Sequence, residues 1–162
     1  MIRAILHADK NWGIGKNNSL MFSIPKDMKF FRETTLGKTV VMGGNTLRSF
    51  PAGKPLKNRT NIVLSRGQVM DDCLVVSDLE ALKAEMRRRA ETEDLYVIGG
   101  ASVYQALLGK CDTAYITKIH KAYPADCWLP DLDADPNWTL AEESEPLEEN
   151  GLIFHYATYK RT

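Results

Sequence analysis

Asp27 is the residue in this chain with the most chemical promise. It lies in the first turn of a helical pattern that opens at Pro25, a favourable first helical position. Phe30 and Phe31 follow three and four residues later and share its face, while Lys26, Lys29 and Arg32 fall on the other side. A carboxylate on an aromatic face is costly to bury alone. Two readings stand at this point. Asp27 either grips the polar edge of a ligand in a greasy cleft, or it stays exposed and favours the positive end of its own helix.

Glycine marks three further places. Gly43-Gly44 and Gly99-Gly100 each end an apolar strand and precede a helix. Glycine there lets a ligand approach the backbone, and the helix start presents N–H groups to an anion. One such pair is a common turn; two in equivalent strand–helix positions point to a dinucleotide. Gly13-Ile14-Gly15 and Asn17-Asn18 sit in a long connection from Asp9 to Ile24, which suits a lid. It is not the G-x-G-x-x-G fingerprint. Arg59 and Arg66 flank a strand and could each grip a carboxylate or phosphate; the plain alternative is a solvated surface charge. His7, His120 and His155 show no metal-ligand spacing, and His7 reads as a core or pocket-wall residue. Trp12, Trp128 and Trp138 read as packing residues, with Trp12 a candidate lid residue.

Strands and helices alternate around these residues. Strand patterns cover Ile2–Ala8, Thr39–Met42, Asn61–Leu64, Leu74–Val76, Leu95–Ile98, Ala114–Ile119, Trp138–Glu142 and Ile153–Tyr159. The middle ones are apolar without clean alternation, as strands covered on both faces are. Helical patterns cover Pro25–Thr35, a run past Ser77 and Glu80 with capping-box spacing, and Ala101–Leu108. Arg87–Arg89 reads as the wet face of its helix. The expected fold is one α/β domain over residues 1–162: a central, mostly parallel eight-stranded sheet, an antiparallel C-terminal strand and about four flanking helices. Asn150-Gly151 marks the last turn. Ala122–Asn137, with Pro124, Pro130 and Pro136, reads as a surface loop.

Composition narrows the function classes. Basic and acidic residues balance at 21 each in 162 residues, so no nucleic-acid or membrane-surface partner is expected. Cys73, Cys111 and Cys127 are odd in number and widely spaced, which argues against a zinc site or disulfide framework and for a reducing, cytoplasmic setting. No apolar stretch is long enough for a signal peptide or a membrane span.

The order of the motifs adds a resemblance. Gly13-Ile14-Gly15, Ile24-Pro25-Lys26-Asp27-Met28-Lys29-Phe30-Phe31, Thr35-Leu36-Gly37 and Val40-Val41-Met42-Gly43 come first. Thr46, Ser49-Phe50, Pro55-Leu56, Arg59, Asn61-Ile62-Val63-Leu64-Ser65-Arg66, Val97-Ile98-Gly99-Gly100-Ala101-Ser102-Val103-Tyr104 and Tyr115-Ile116-Thr117-Lys118-Ile119 follow. This resembles the bacterial dihydrofolate reductases over nearly the whole chain. The resemblance implies an NADPH-dependent reduction of 7,8-dihydrofolate, with hydride to C6 and a proton to N5.

It also implies roles. Asp27 would hold the pterin N3 and 2-amino group, oriented by Thr117. Ile5, Leu6, Phe31, Phe50 and Leu56 would wall the substrate, and Arg59 would grip its glutamate α-carboxylate. The cofactor would rest on His7, Ile14, Gly15, Gly43, Gly44, Asn45 and Thr46, then Leu64, Ser65 and Arg66, then Ile98, Gly99, Gly100, Ala101, Ser102 and Val103. Tyr104 would sit near both ligands. The family places a cis peptide between Gly99 and Gly100. Antifolate inhibitors go with the same resemblance; nothing in the residues suggests more than a monomer, and no metal is expected.

Three positions depart from the family pattern. Phe22 replaces a tryptophan whose N–H holds a water, Met21 replaces a proline, and Gly44 replaces an arginine that helps bind the 2′-phosphate. Two rivals are a related NADPH-dependent pyrimidine or pterin reductase and a non-catalytic nucleotide-binding domain. The first would not need the Pro-x-Asp helix and Arg59 together. The second predicts cofactor binding without turnover.

Overall fold

The computed structural model describes residues 1–16, 24–66 and 72–162. The expectations at Asn17, Asn18, Met21 and Phe22 lie outside the described residues. In chain order the elements are β1 (Ile2–Ala8), β2 (Gly13–Gly15), α1 (Pro25–Thr35), β3 (Thr39–Gly43), α2 (Gly44–Ser49), β4 (Thr60–Leu64), β5 (Leu74–Val76) and α3 (Leu79–Arg89). Then come β6 (Leu95–Gly99), α4 (Ala101–Leu107), β7 (Thr113–Ile119), β8 (Cys127–Trp128), β9 (Trp138–Glu143), β10 (Leu147–Glu149) and β11 (Leu152–Arg161).

The main sheet runs β10-β11-β7-β1-β6-β3-β4-β5, with β9 also paired to β11. β1 and β3 to β7 are parallel, while β11 joins β7, β9 and β10 antiparallel. Every residue of β3 from Thr39 to Met42 is buried, because helices cover both faces of a parallel sheet. Alternation then sorts the side chains. Ile5, Val40, Met42 and Val63 pack on one face with Leu47 of α2 and the partly buried Phe30 and Phe31 of α1. Val41, Ile62 and Val97 pack on the other with Leu82 and Met86 of α3 and Val103 and Leu107 of α4.

All eight expected strands are present, and the sheet has nine because β10 joins it. β10 reads Leu-Glu-Glu, with too few apolar residues to signal a strand. It exists because Asn150 (φ 54°) and Gly151 (φ 81°) form the tight turn that folds it back on β11.

Three expectations are corrected. The α3 N-cap is Asp78, whose Oδ1 accepts the Ala81 N–H at 2.8 Å, not Ser77. The chain between Ala122 and Asn137 is more than a surface loop. It contributes β8, which pairs with β2, and it buries Leu129 and Leu132. Trp128 is not a packing residue, being 51% exposed, whereas Trp12 and Trp138 are buried.

Candidate active site

α1 starts where extended Ile24 meets Pro25, whose fixed φ suits the first helical turn. Ile24, at the N-cap, offers no side-chain cap. The Lys26 N–H instead donates to Glu149 Oε1 at 2.8 Å, so the β10 hairpin caps the helix from a distance. This start aims Asp27 at the ends of β1 and β7. Its Oδ1 accepts the Thr117 hydroxyl at 2.6 Å, and its Oδ2 lies 3.4 Å from His7 Nδ1. The Asp27 side chain keeps 15% of its surface exposed.

Register explains the meeting. His7 pairs with Thr117 across β1 and β7, and Thr117 pairs with Tyr156 across β7 and β11. Paired residues point to the same face, so His7, Thr117 and Tyr156 form one polar row across three strands. The Tyr156 ring packs on Phe30 at 4.5 Å between centroids. Burial raises the Tyr156 phenol above its ordinary value, and the negative charges of Asp27 and Glu149 raise it further.

Ile5, Phe31, Phe50 and Leu56 gather on the same face of the sheet, an apolar wall beside the carboxylate. Leu6 does not join them; alternation sends it to the opposite cluster. Tyr104 is buried and donates its hydroxyl to the Ile5 carbonyl at 2.9 Å, tying α4 to β1. Burial holds its phenol far above the ordinary range.

The glycine turns lie at the carboxyl ends of β3 and β6, which are neighbours in the sheet. In open α/β sheets ligands bind outside these ends, where the strand order reverses; here β6 and β7 lie on opposite sides of β1. The Gly99–Gly100 peptide is cis, and Gly99 has φ +135°, a conformation side chains rarely adopt. A Cβ on Gly99 or Gly100 would fall 3.3 or 3.4 Å from Thr46 Oγ1, and one on Gly43 would fall 3.1 Å from Val103. One on Gly44 would fall 3.2 Å from Ser65 Oγ. Thus Gly43, Gly44, Thr46, Ser65 and the Gly99–Val103 stretch come together in a cradle that side chains would fill. Its hydroxyls, backbone N–H groups and the exposed Arg66 beside Ser65 are the donor set an anionic dinucleotide needs. Asn45 Oδ1 takes a hydrogen bond from Arg48. Ile14 and Gly15 are buried in β2, and Leu64 and Ile98 are half-buried at the ends of β4 and β6.

Arg59 sits at the other end of α1. It donates to Thr35 Oγ1 at 3.2 Å and to the Arg32 and Lys57 carbonyls at 3.2 and 2.9 Å. Burial lowers its pKa from the ordinary arginine value, with the Arg32 charge helping.

Sequence reasoning missed two residues. His7 was read as a wall or cofactor contact, and its approach to Asp27 emerges only from the β1–β7 register. Asp9 was read as the start of a loop, yet it is 1% exposed. Its Oδ1 accepts the N–H groups of Asn11 and Gly13 at 2.8 Å each, and its Oδ2 accepts that of Tyr123 at 2.9 Å. Aspartate followed by Asn and Gly at short spacing was the available signal.

Among known proteins, the family model described as dihydrofolate reductase matches residues 1–161. The chain is 34% identical to dihydrofolate reductase of Bacillus subtilis, over 99% of this chain and 95% of that one. It is 33% identical to the Neisseria meningitidis serogroup A enzyme of the same name, over 99% and 98%. A solved structure of dihydrofolate reductase from Enterococcus faecalis, complexed with NADP(H) and RAB-propyl, superposes with a TM-score of 0.83 at 30% identity, over 100% of this chain and 96% of that one.

Proposed function

The chain belongs to the dihydrofolate reductase family and reduces dihydrofolate with NADPH, and from that premise we propose that Asp27 is the carboxylate that holds the pterin. The observation that carries this assignment is the Thr117–Asp27 bond beside the apolar wall. Thr117 uses its one hydroxyl proton on Oδ1, which leaves the remaining carboxylate lone pairs to accept from a ligand's N–H edge. A pterin offers such an edge at N3 and its 2-amino group.

The helix spaces the substrate's two ends. From Asp27 to Thr35, the residue bonded to Arg59, the helix rises about 12 Å. That length suits a flat ring at one end and a carboxylate at the other. Arg59 takes the glutamate α-carboxylate, while Ile5, Phe31, Phe50 and Leu56 cover the rings between and exclude water. Bound NADPH supplies the hydride received at C6. Asp27 does not deliver the N5 proton itself; water entering the cleft does.

Gly15, Thr46, Ser65, Arg66 and the Gly99–Val103 stretch hold the cofactor, with Tyr104 beside its ring. Arg66 favours NADPH over NADH. One arginine–phosphate contact is worth about 10- to 150-fold, and with Gly44 offering no second cation the expected preference is about 10- to 40-fold in kcat/KM. Equal kcat/KM for both cofactors removes Arg66 from that role.

The protein works as a monomer in the cytoplasm, takes antifolate inhibitors at the Asp27 end of the cleft, and binds neither nucleic acid nor membrane. Loss of NADPH absorbance on mixing the purified protein with dihydrofolate tests the whole reading. Turnover dependent on both reactants supports it; cofactor binding without turnover defeats it.

A further inference from the structure

Asp27 touches a second polar side chain, and that contact has a chemistry of its own. His7 lies at the end of β1 with 9% of its side chain exposed, and its Nδ1 is 3.4 Å from Asp27 Oδ2. Thr117 holds the other oxygen. The two residues are register partners on adjacent parallel strands, so they clasp the carboxylate from one level of the sheet.

We propose that His7 is a positioning residue for the reduction: it steadies the second oxygen of Asp27 and, by gaining or losing a proton, sets the charge which that carboxylate presents to the pterin. This rests on the reading of Asp27 given above.

A contact of 3.4 Å is longer than a strong N–H···O bond, so in the free protein it is mainly electrostatic. Such contacts tighten when a ligand closes the site. A neutral ring with its proton on Nδ1 donates to Oδ2. A ring carrying both protons adds a positive charge next to the carboxylate.

The other titratable groups around the pair are already engaged. Tyr156 on β11 is held neutral, its phenol raised by burial first and by Asp27 and Glu149 next. Glu149 on β10 accepts from the Lys26 backbone, and the Lys26 ammonium reaches the Glu148 carbonyl. Tyr104 on α4 is bonded to Ile5, and burial keeps it protonated. Lys118, next to Thr117 in β7, pairs with Asp133. Asp9, beyond His7, is occupied by backbone N–H groups. Among the described residues named here, His7 is the one histidine facing Asp27, and imidazole is the side-chain type whose ordinary range spans about pH 5 to 8.

The test is the pH profile of kcat/KM for dihydrofolate. His7→Asn keeps a donor near the Nδ1 position but cannot become charged, and His7→Gln serves if the Asn variant does not fold. The ratio of wild type to that variant is expected to change by threefold or more between about pH 5.5 and pH 8. His7→Ala should lose about 2- to 10-fold at about pH 8, and the Asn variant should recover most of that. A ratio that stays constant across the range overturns the proposal, as does His7→Ala acting like wild type throughout. Asp27→Asn separates the two levels. Full activity in that variant defeats the reading of Asp27 itself, whereas a crippled variant with a constant His7 ratio defeats this inference alone.

Discussion

Two aspartates, one buried and one partly exposed, spend their oxygens in different ways. Asp9 is sealed, and three backbone N–H groups fill its oxygens at 2.8 to 2.9 Å. Asp27 keeps a window to solvent, and among the described residues its bonded partners are the side chains of Thr117 and His7. An ionised carboxylate has about four acceptor sites. Backbone donors at Asp9 use them to hold a turn in place. At Asp27, among the described residues, sites are left over. The two carboxylates thus differ in acceptor capacity left unspent among the described residues.

The comparison can be broken by exchanging the losses. Asp27→Asn should lower kcat/KM for dihydrofolate by about a thousandfold at neutral pH, about 4 kcal/mol. NADPH binding and urea stability should stay near wild type, and a large stability loss would make Asp27 another Asp9. Asp9→Ala should do the reverse: three orphaned backbone donors cost about 3 kcal/mol of unfolding free energy. Activity per folded molecule should change little, and the pair of urea midpoint and kcat reads this.

Smaller changes sharpen the contrast. Thr117→Val keeps the shape but removes the donor to Asp27, and should cost about 10-fold or somewhat more in kcat/KM. An unchanged value would mean that Thr117 does not orient the carboxylate. Gly13→Ala probes the Asp9 side. Its Cβ would fall 2.7 Å from Ala125 Cβ and 3.0 Å from an Asp9 oxygen, at a cost of about 1–2 kcal/mol in denaturant.

Much of this was legible in the residues. Apolar runs without alternation marked the covered strands, Pro25 marked the start of α1, and Asn150-Gly151 marked the last turn. The glycine pairs sat where the cradle formed, and the Asp27 helix carried its aromatic face. What stayed hidden depends on distance along the chain. No local pattern says that His7 and Thr117 share a level, because that follows from parallel pairing of β1 with β7. Leu6 was grouped with Ile5, although the two-residue period sends neighbours to opposite faces. β8 and β10 are too short to show a period; β10 forms on the edge of β11, and β8 against the equally short β2. Ser77 and Asp78 could each have capped α3, and spacing alone did not choose between them.

The cap on α1 has a consequence for how the protein is made. Glu149, which holds the first turn of the Asp27 helix, and Tyr156, which floors the row beneath it, both lie in the final hairpin. A ribosome releases His7 first, Thr117 much later and that hairpin after both. A nascent chain can thus carry the Asp27 helix before the partners that aim it have been made, and their arrangement waits for β11 to dock against β7.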